Sequence, residues 1–462
     1  MQPFWDNTKA LSQTAIRTPD GGEMTYAELY DAADAFALQL LPKSLVLILT
    51  SNSKDCLIAY LACLRHDHVA LLISKETKPH MVTTLCEIYE PDCTYAPEKD
   101  GGYQLKQNNN ANKAKAELHP DLALLLSTSG STGSPKLVRL TKANLLANAA
   151  SIASYLQLNS DERAITNLPF YYSYGLSVIN SHLQVGATLL LTDDSIISPS
   201  FWKFFDTNQA TSLAGVPYTY EMLEMFGFRK RKVDHLRYIT QAGGHMSASL
   251  VEKYAQWAHE SNIRFYVMYG QTEATARMSY LPPELALQHS DSIGIAIPGG
   301  GFSLVDSEGN TIEQPYEVGE LVYHGKNVCM GYAETRDDLS KGNTNKGVLR
   351  TGDMAKFDEN RLYYITGRRK RFLKIAGNRF GLDELEAEYR NNGITAVCGG
   401  SDSKLLVAVT QTEDVSKASD FLKNTWHLMR NQYKIIQIEK IPRSESGKIL
   451  YAEIFSSVEN TV

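Results

Sequence analysis

LLLSTSGSTGSPKLVRLT, residues Leu124 to Thr141, is the stretch from which the fold can be read. An apolar run ends abruptly, hydroxyl, glycine and proline residues follow, and Lys136 closes the loop. The run before the loop reads as a buried strand, and KLVRLT after it alternates as a strand does. A helix is expected only from Lys142, with Thr141 as its N-cap. The loop therefore joins two strands. A GxxxxGK[ST] phosphate loop runs from strand to helix, and GSTGSPK does not match it. The dinucleotide pattern GxGxxG is missing too. The chemistry still suits an anion. Gly130 and Gly133 let backbone approach closely, and Ser127, Thr128, Ser129, Ser131 and Thr132 offer hydroxyl donors. Lys136 adds charge and Pro135 stiffens the exit. Taken alone, these residues also fit an ordinary Gly/Ser hairpin loop.

Outward from the loop, length and composition narrow the choice. A chain of 462 residues with 43% hydrophobic content can bury a large core and form more than one domain. A net charge of −6 argues against a broadly basic protein that binds nucleic acid. Cys56, Cys63, Cys86, Cys93, Cys329 and Cys398 form no CxxC pair and no Cys/His cluster with zinc spacing. They are expected to be free, buried thiols in a reducing cytoplasm. The N-terminal segment lacks the basic start and apolar stretch of a signal peptide. No apolar run approaches the ~18–20 residues of a membrane span.

Early segments alternate in type. TYAELYDAADAFALQL is spaced as a helix, SLVLILT as a strand, KDCLIAYLACLRH as a helix and VALLIS as a buried strand. The alternation predicts α/β architecture with parallel strands. LKQNNNANKAKAELHPD, residues 105–121, reads as a polar surface connection. From about Tyr363 the texture changes. A basic cluster, two glycines and an amphipathic helix carrying Leu382, Leu385 and Tyr389 are followed by strands LLVAVT and IIQIEKI and a helix over KASDFLKNTWHLMR. This predicts a second, small α+β domain.

Other segments carry a family likeness. [ST][ST]G[ST]TGxPK is the phosphate-loop signature of the adenylate-forming superfamily, which holds acyl- and aryl-CoA synthetases, peptide-synthetase adenylation domains and beetle luciferases. LPFYYSYGL (Leu168 to Leu176) resembles its LPxFHxxGL segment, and QAGGHM (Gln241 to Met246) its SGGAPL segment. YGQTEAT (Tyr269 to Thr275), GELVYHGKNVCMGY and LRTGD (Leu349 to Asp353) resemble three more signatures. GRRKRFLKIAGNRFGLDELE is similar to the hinge and the loop after it, and PRSESGK (Pro442 to Lys448) to the C-terminal PxxxxGK. The order is the family's, and the match covers nearly the whole chain.

The resemblance implies a large N-terminal domain of α/β subdomains with mixed sheets over 1–367, a hinge at 368–370, and a small mobile α+β domain over 371–462 that acts as a lid. It implies two half-reactions. A carboxylate attacks the α-phosphorus of ATP, and a thiol then takes the acyl group from the adenylate. The 127–136 loop would hold the phosphates that leave. Glu273 would bind Mg2+, Thr272 the α-phosphate, and Tyr269 would stack on adenine beside Gly270. Gly243 and Gly244 would lie against the nucleotide. Asp353 would accept hydrogen bonds from the ribose hydroxyls, with Arg368 adding a contact. Lys448 would bridge the acyl carboxylate and the α-phosphate, as a compact ammonium on a flexible stem can. Lys370 would be the pivot, and Gly377 would leave room for a pantetheine arm.

On the acid side, amino-acid-activating members usually carry an Asp in the segment resembling LPFYYSYGL. Tyrosines and a serine stand there instead, which points away from an α-amino acid. Tyr172 falls where many acyl- and aryl-CoA synthetases carry an aromatic gate. Tyr171, Tyr174, Tyr218 and His245 are further pocket candidates, and such a lining favours a small or aromatic acid. The basic run FRKRKVD (Phe228 to Asp234) reads as a solvated face, with docking of an acidic carrier protein as the sharper alternative. The expected chain is therefore a cytoplasmic ligase, monomer or homodimer, using ATP and Mg2+. Its acyl acceptor would be CoA or the phosphopantetheine of a carrier protein. An amine acceptor, an amino-acid-activating enzyme, a luciferase-like oxidoreductase and a silent nucleotide-binding protein are the competing readings.

Overall fold

Runs of Leu, Ile and Val that alternate with amphipathic helices need cover on both faces, and parallel strands give it. In the computed structural model, SLVLILT forms β1 (Leu45–Thr50) and VALLIS forms β2 (Val69–Ser74), paired in parallel through six Cα partners. The structure describes residues 2–99, 101–108, 117–127, 136–368, 371–375, 378–401, 404–444 and 447–459. Within it the chain divides into two compact units, Met1–Gly301 with Tyr323–Leu349, and Phe302–Val322 with Arg350–Val462.

The apolar strand before the opening loop is β3 (Leu122–Ser127), parallel to β2, and the strand after it is β4 (Leu137–Thr141), antiparallel to β3. The loop is thus a hairpin connection, as its flanks predict; Thr128, Ser129, Gly130, Ser131, Thr132 and Gly133 lie outside the described residues. Helix α1 (Lys142–Tyr155) starts where expected. Asn144 N–H donates to Thr141 Oγ1 at 3.0 Å, and Thr141 N–H donates back to Asn144 Oδ1 at 2.9 Å. This reciprocal cap satisfies two otherwise orphan donors and fixes the exit of the hairpin. β4 is flanked on its other side by β5 (Gly331–Ala333), which closes that edge of a seven-stranded sheet.

The first unit also holds a nine-stranded sheet. At its centre Arg163–Thr166, Ser212–Gly215, Tyr238–Gln241 and Arg264–Tyr269 run parallel. Helix α2 (Ser173–Val185) follows the first of them and is buried over nearly its whole length. Gly175 explains the close fit, because a Cβ there would stand 2.4 Å from the Pro169 carbonyl oxygen. In this unit Cys56, Cys63, Cys93 and Cys329 are buried and Cys86 is half-buried, all as free thiols. Phe228 of the basic run is buried too, and Arg229, Arg231 and Lys232 pair with Glu224, Asp206 and Asp234. The run is therefore anchored by one aromatic side chain and largely neutralised.

The second unit contains the strand Val348–Phe357 from Arg350 onward and its antiparallel partner Tyr363–Arg368, so compactness groups them with the C-terminal residues. Beyond them comes a three-stranded sheet of Ala396–Ser401, Lys404–Val409 and Tyr433–Gln437. The helix Leu382–Asn391 buries Leu382, Leu385 and Tyr389 in the core that includes Cys398, as the amphipathic spacing predicts. The helix expected over 417–430 instead runs Thr412–Asn424. Its first turn carries Glu413 and Asp414, which complement the positive end of a helix dipole. Lys370 and Gly377 lie outside the described residues. Among those residues no helix is long and apolar enough to cross a membrane.

Candidate active site

In open α/β sheets, ligands bind beyond the carboxyl ends of parallel strands, where the chain leaves each strand for a loop. The candidate segments of the first unit leave at those ends. Tyr171 and Tyr172 follow Arg163–Thr166, Tyr218 follows Ser212–Gly215, Gly243 to His245 follow Tyr238–Gln241, and Gly270 to Glu273 follow Arg264–Tyr269.

Several of these residues touch. Ser173 Oγ lies 3.1 Å from Thr272 Oγ1, which joins the start of α2 to the loop bearing Glu273. Tyr172 is buried and faces Gly243, where a Cβ would stand 2.3 Å from the Tyr172 hydroxyl oxygen. Gly243 also has φ 84°, so both backbone and space call for glycine. Burial raises the Tyr172 phenol well above its ordinary pKa, so it stays neutral. Gly244 packs near Pro217, and Gln241 Nε2 donates to its carbonyl at 2.9 Å. Tyr174 goes the other way. Its hydroxyl is 2.9 Å from the Thr240 carbonyl and 2.7 Å from Thr240 Oγ1, which makes it part of the supporting wall. Tyr171 is half-buried, while Tyr218 and His245 are exposed.

Tyr269 is half-buried at the end of its strand. Gly270 has no room for a side chain, since a Cβ would come 1.8 Å from the Ala276 carbonyl oxygen. That tight return sets Thr272 and Glu273 on a single 3-10 turn. Thr275, at φ 67°, is held there by a 2.7 Å hydrogen bond to the Asn327 carbonyl.

Glu273 has a partner that residue-by-residue reading of the sequence missed. Tyr332 of β5 donates its hydroxyl to Glu273 Oε1 at 2.7 Å. Lys136 Nζ lies 3.7 Å from the centroid of the same ring and 3.7 Å from Glu334. The lysine that closes the opening loop and the candidate metal carboxylate therefore share one aromatic side chain. Ser127 ends β3 at the other side of that loop.

Behind β5 sits Arg139 of β4, 1% exposed. It has no carboxylate partner among the described residues and donates to the carbonyls of Tyr332 (3.1 Å), Gly342 (3.3 Å), Met330 (3.4 Å) and Lys341. Burial lowers its pKa from the ordinary arginine value, although the group stays charged. Its burial could not be read from KLVRLT, where alternation gives an arginine no special place.

In the second unit, Asp353 is 5% exposed and lies opposite Arg368 in the strand register. Arg368 Nε is 3.4 Å from Asp353 Oδ1, and the Asp353 N–H donates to Thr351 Oγ1 at 3.1 Å. Lys448 follows a tight turn. Ser444 N–H donates to the Lys448 carbonyl at 2.8 Å, Lys448 N–H donates to Ser444 Oγ at 3.2 Å, and Gly447 sits at φ 76°.

Among the described residues no group of three or more His, Cys, Asp or Glu could hold a metal. A lone carboxylate such as Glu273 nevertheless suits Mg2+, which keeps waters and shares phosphate oxygens instead of taking a full protein cage.

Residues 5–333 match the family model described as AMP-binding enzyme. The chain is 29% identical over 357 residues to a long-chain-fatty-acid–CoA ligase of Escherichia coli O157:H7, covering 74% of this chain and 62% of that one. It is 24% identical to the 2-succinylbenzoate–CoA ligase of Bacillus subtilis strain 168, covering 97% and 96%. The fold agrees with a solved O-succinylbenzoate CoA synthetase of Bacillus subtilis in complex with AMP. There the TM-score is 0.80 at 21% identity, over 98% of both chains.

Proposed function

Since this chain belongs to the AMP-binding enzyme family, we propose that it is an AMP-forming ligase that joins a carboxylic acid to a thiol. One observation carries the reading. Tyr172, Gly243, Thr272 and Glu273 leave the carboxyl ends of the parallel central strands of one sheet, and Ser173 meets Thr272 there within hydrogen-bonding distance.

In the first step a carboxylate oxygen attacks the α-phosphorus of ATP. The bond to the oxygen bridging to the β-phosphate breaks and pyrophosphate leaves. Two anions must meet, so the site has to supply positive charge and alignment. Ser127, Lys136 and the loop between them hold the departing phosphates, and Thr272 donates to the α-phosphate. Glu273 holds Mg2+, whose chemistry is to neutralise phosphate charge. Tyr269 stacks on adenine, with Gly243, Gly244 and Gly270 leaving room for the nucleotide. Asp353 takes the ribose hydroxyls with Arg368 beside it, and Lys448 bridges the carboxylate and the α-phosphate.

In the second step a thiolate sulfur attacks the acyl carbon. The C–O bond to AMP breaks and the thiol proton passes to solvent. In this reading residues 371–462 act as the lid, Lys370 in the 368–370 hinge would be the pivot, and Gly377 would leave room for the thiol arm. CoA is the acceptor favoured by the relatives that match along almost their whole length, and carrier-protein phosphopantetheine presents the same reacting group. The acid meets Tyr171, Tyr172, Tyr218 and His245, with Tyr174 behind them. The buried free thiols support a cytoplasmic setting.

The test pairs the two steps. The chain should show acid-dependent ATP–pyrophosphate exchange, and Lys448→Ala should lower it about a hundredfold, ~2.7 kcal/mol of barrier. The same variant should still convert a supplied acyl-adenylate to thioester, with CoA and phosphopantetheine run as separate arms. Absence of exchange with every acid in a broad panel would sink the ligase reading. Equal damage to both steps would sink the division of labour.

A further inference from the structure

Tyr332 ends the segment GELVYHGKNVCMGY, and its backbone is held from two sides. Strand pairing sets it opposite Val138, and Arg139 Nε donates to its carbonyl at 3.1 Å. Gly331 before it has φ 127°. A Cβ there would stand 2.4 Å from Thr344 Oγ1 and 3.2 Å from Arg139 Nη2. Only glycine lets the strand pass this close, so the starting point of the Tyr332 side chain is fixed.

That side chain stands between two opposite charges. Its hydroxyl donates to Glu273 Oε1 at 2.7 Å, and its ring carries Lys136 Nζ at 3.7 Å from the centroid. Among the described residues the ion-pair partner of Lys136 is Glu334, and no ion pair joins Lys136 to Glu273. A carboxylate and an ammonium this near would ordinarily approach one another, and each would then cancel the charge that a magnesium triphosphate needs.

We propose that Tyr332 is a positioning residue of the nucleotide site, which holds the Glu273 carboxylate by one oxygen and the Lys136 ammonium on its ring face, so that both charges stay apart and aimed. The proposal rests on the reading that Glu273 meets Mg2+ and Lys136 meets the leaving phosphates. Three features support it. A phenol occupying Oε1 leaves Oε2 for a hard cation and fixes the carboxylate plane, and losing such an outer partner typically weakens metal binding about ten- to hundredfold. A cation held on an exposed ring is bound weakly enough for phosphate oxygens to take it over. Finally, the ring acts as a spacer, so the two charges cannot collapse before the nucleotide arrives.

The experiment titrates ATP into the full chain by calorimetry across a Mg2+ series, for wild type, Tyr332→Phe and Tyr332→Ala. Tyr332→Phe keeps the ring face and loses the donor. It should raise the Mg2+ concentration for half-maximal ATP binding about tenfold and leave Mg2+-free ATP binding as in wild type. Tyr332→Ala loses donor and spacer, and should weaken ATP binding with and without Mg2+. Should Tyr332→Ala fail to fold, the Tyr332→Phe titration decides alone. A wild-type Mg2+ profile for Tyr332→Phe would overturn the proposal. So would equal weakening at every Mg2+ concentration together with a lowered unfolding midpoint, which is the mark of a merely structural tyrosine. No acid or acceptor enters the measurement, so a chain that binds magnesium ATP but forms no adenylate would refute the ligase reading and leave this test standing.

Discussion

Replacing Arg139 by methionine isolates what a buried guanidinium does for this site. Methionine keeps the apolar stem and removes every donor. Of the four carbonyls that Arg139 serves, Met330 O keeps a 2.8 Å bond from the Thr344 N–H and a 2.9 Å bond from the Thr344 hydroxyl. Lys341 and Gly342 are exposed, so water can take over there. The Tyr332 carbonyl loses most. A hydrogen bond to a charged group is worth about 1.5–3 kcal/mol, and relief from burying the charge offsets part of the remainder. The expected net loss is therefore about 2–3 kcal/mol. At about 2 °C per kcal/mol for a unit this large, the unfolding midpoint should drop by roughly 4–6 °C. Magnesium ATP should bind about tenfold more weakly, ~1.4 kcal/mol, because β5 carries Tyr332. Thermal unfolding at a fixed scan rate and ATP calorimetry read the two effects. Arg139→Lys should rescue neither fully, since a point charge cannot fork to several carbonyls. An unchanged midpoint and unchanged ATP affinity in Arg139→Met would refute the reasoning, and full rescue by lysine would show that charge alone matters.

Two further outcomes are expected. Tyr172→Ala should change which acids support pyrophosphate exchange with ATP affinity nearly unchanged, whereas Gly243→Ala should change the acid profile by pushing the tyrosine aside and weaken ATP binding as well; an acid profile like wild type in both would move the pocket elsewhere. Burial holds the His182 imidazole down to about 4, with Nδ1–H bonded to the Val178 carbonyl and Nε2 2.7 Å from the Tyr238 hydroxyl. The unfolded chain takes up that proton near pH 6.5 and the folded chain only near 4. Stability should therefore fall as pH drops through that window, by on the order of 3 kcal/mol from this group. His182→Gln should flatten part of the slope in denaturant midpoints measured from pH 7 to 4, while an unaltered slope would place the effect on other groups, His68 among them.

What could be read in the sequence was local. Strand, hairpin, capped helix and return strand follow from residues 122–155 because their determinants are near neighbours: apolar runs, a breaker-rich loop and a Thr141–Asn144 cap. The motif segments were recognisable one by one for the same reason. Tyr332 and Arg139 were not, because their roles arise from pairing of strands almost two hundred positions apart, and neither residue type announces such a partner. Nor could the tyrosines of LPFYYSYGL be sorted. Whether a phenol meets a glycine of a neighbouring loop, as Tyr172 does at Gly243, or a strand carbonyl, as Tyr174 does at Thr240, depends on where α2 lands. The shifted helix at 412–424 shows a nearer failure, in which two acidic residues set the start earlier than the apolar spacing indicated.

The distribution of thiols gives the chain internal clocks. Cys56, Cys63, Cys93 and Cys329 are closed inside the first unit and Cys398 inside the second. Burial raises the Cys329 thiol to about 11 and pushes Cys398 up as well, so even a reagent that reached them would meet little thiolate. Alkylation of each is therefore gated by the opening of its own unit. Pulse labelling read by peptide mass would time the breathing of the two units separately in one unmodified molecule, and comparison of the rates with and without nucleotide would reveal which unit the ligand stiffens.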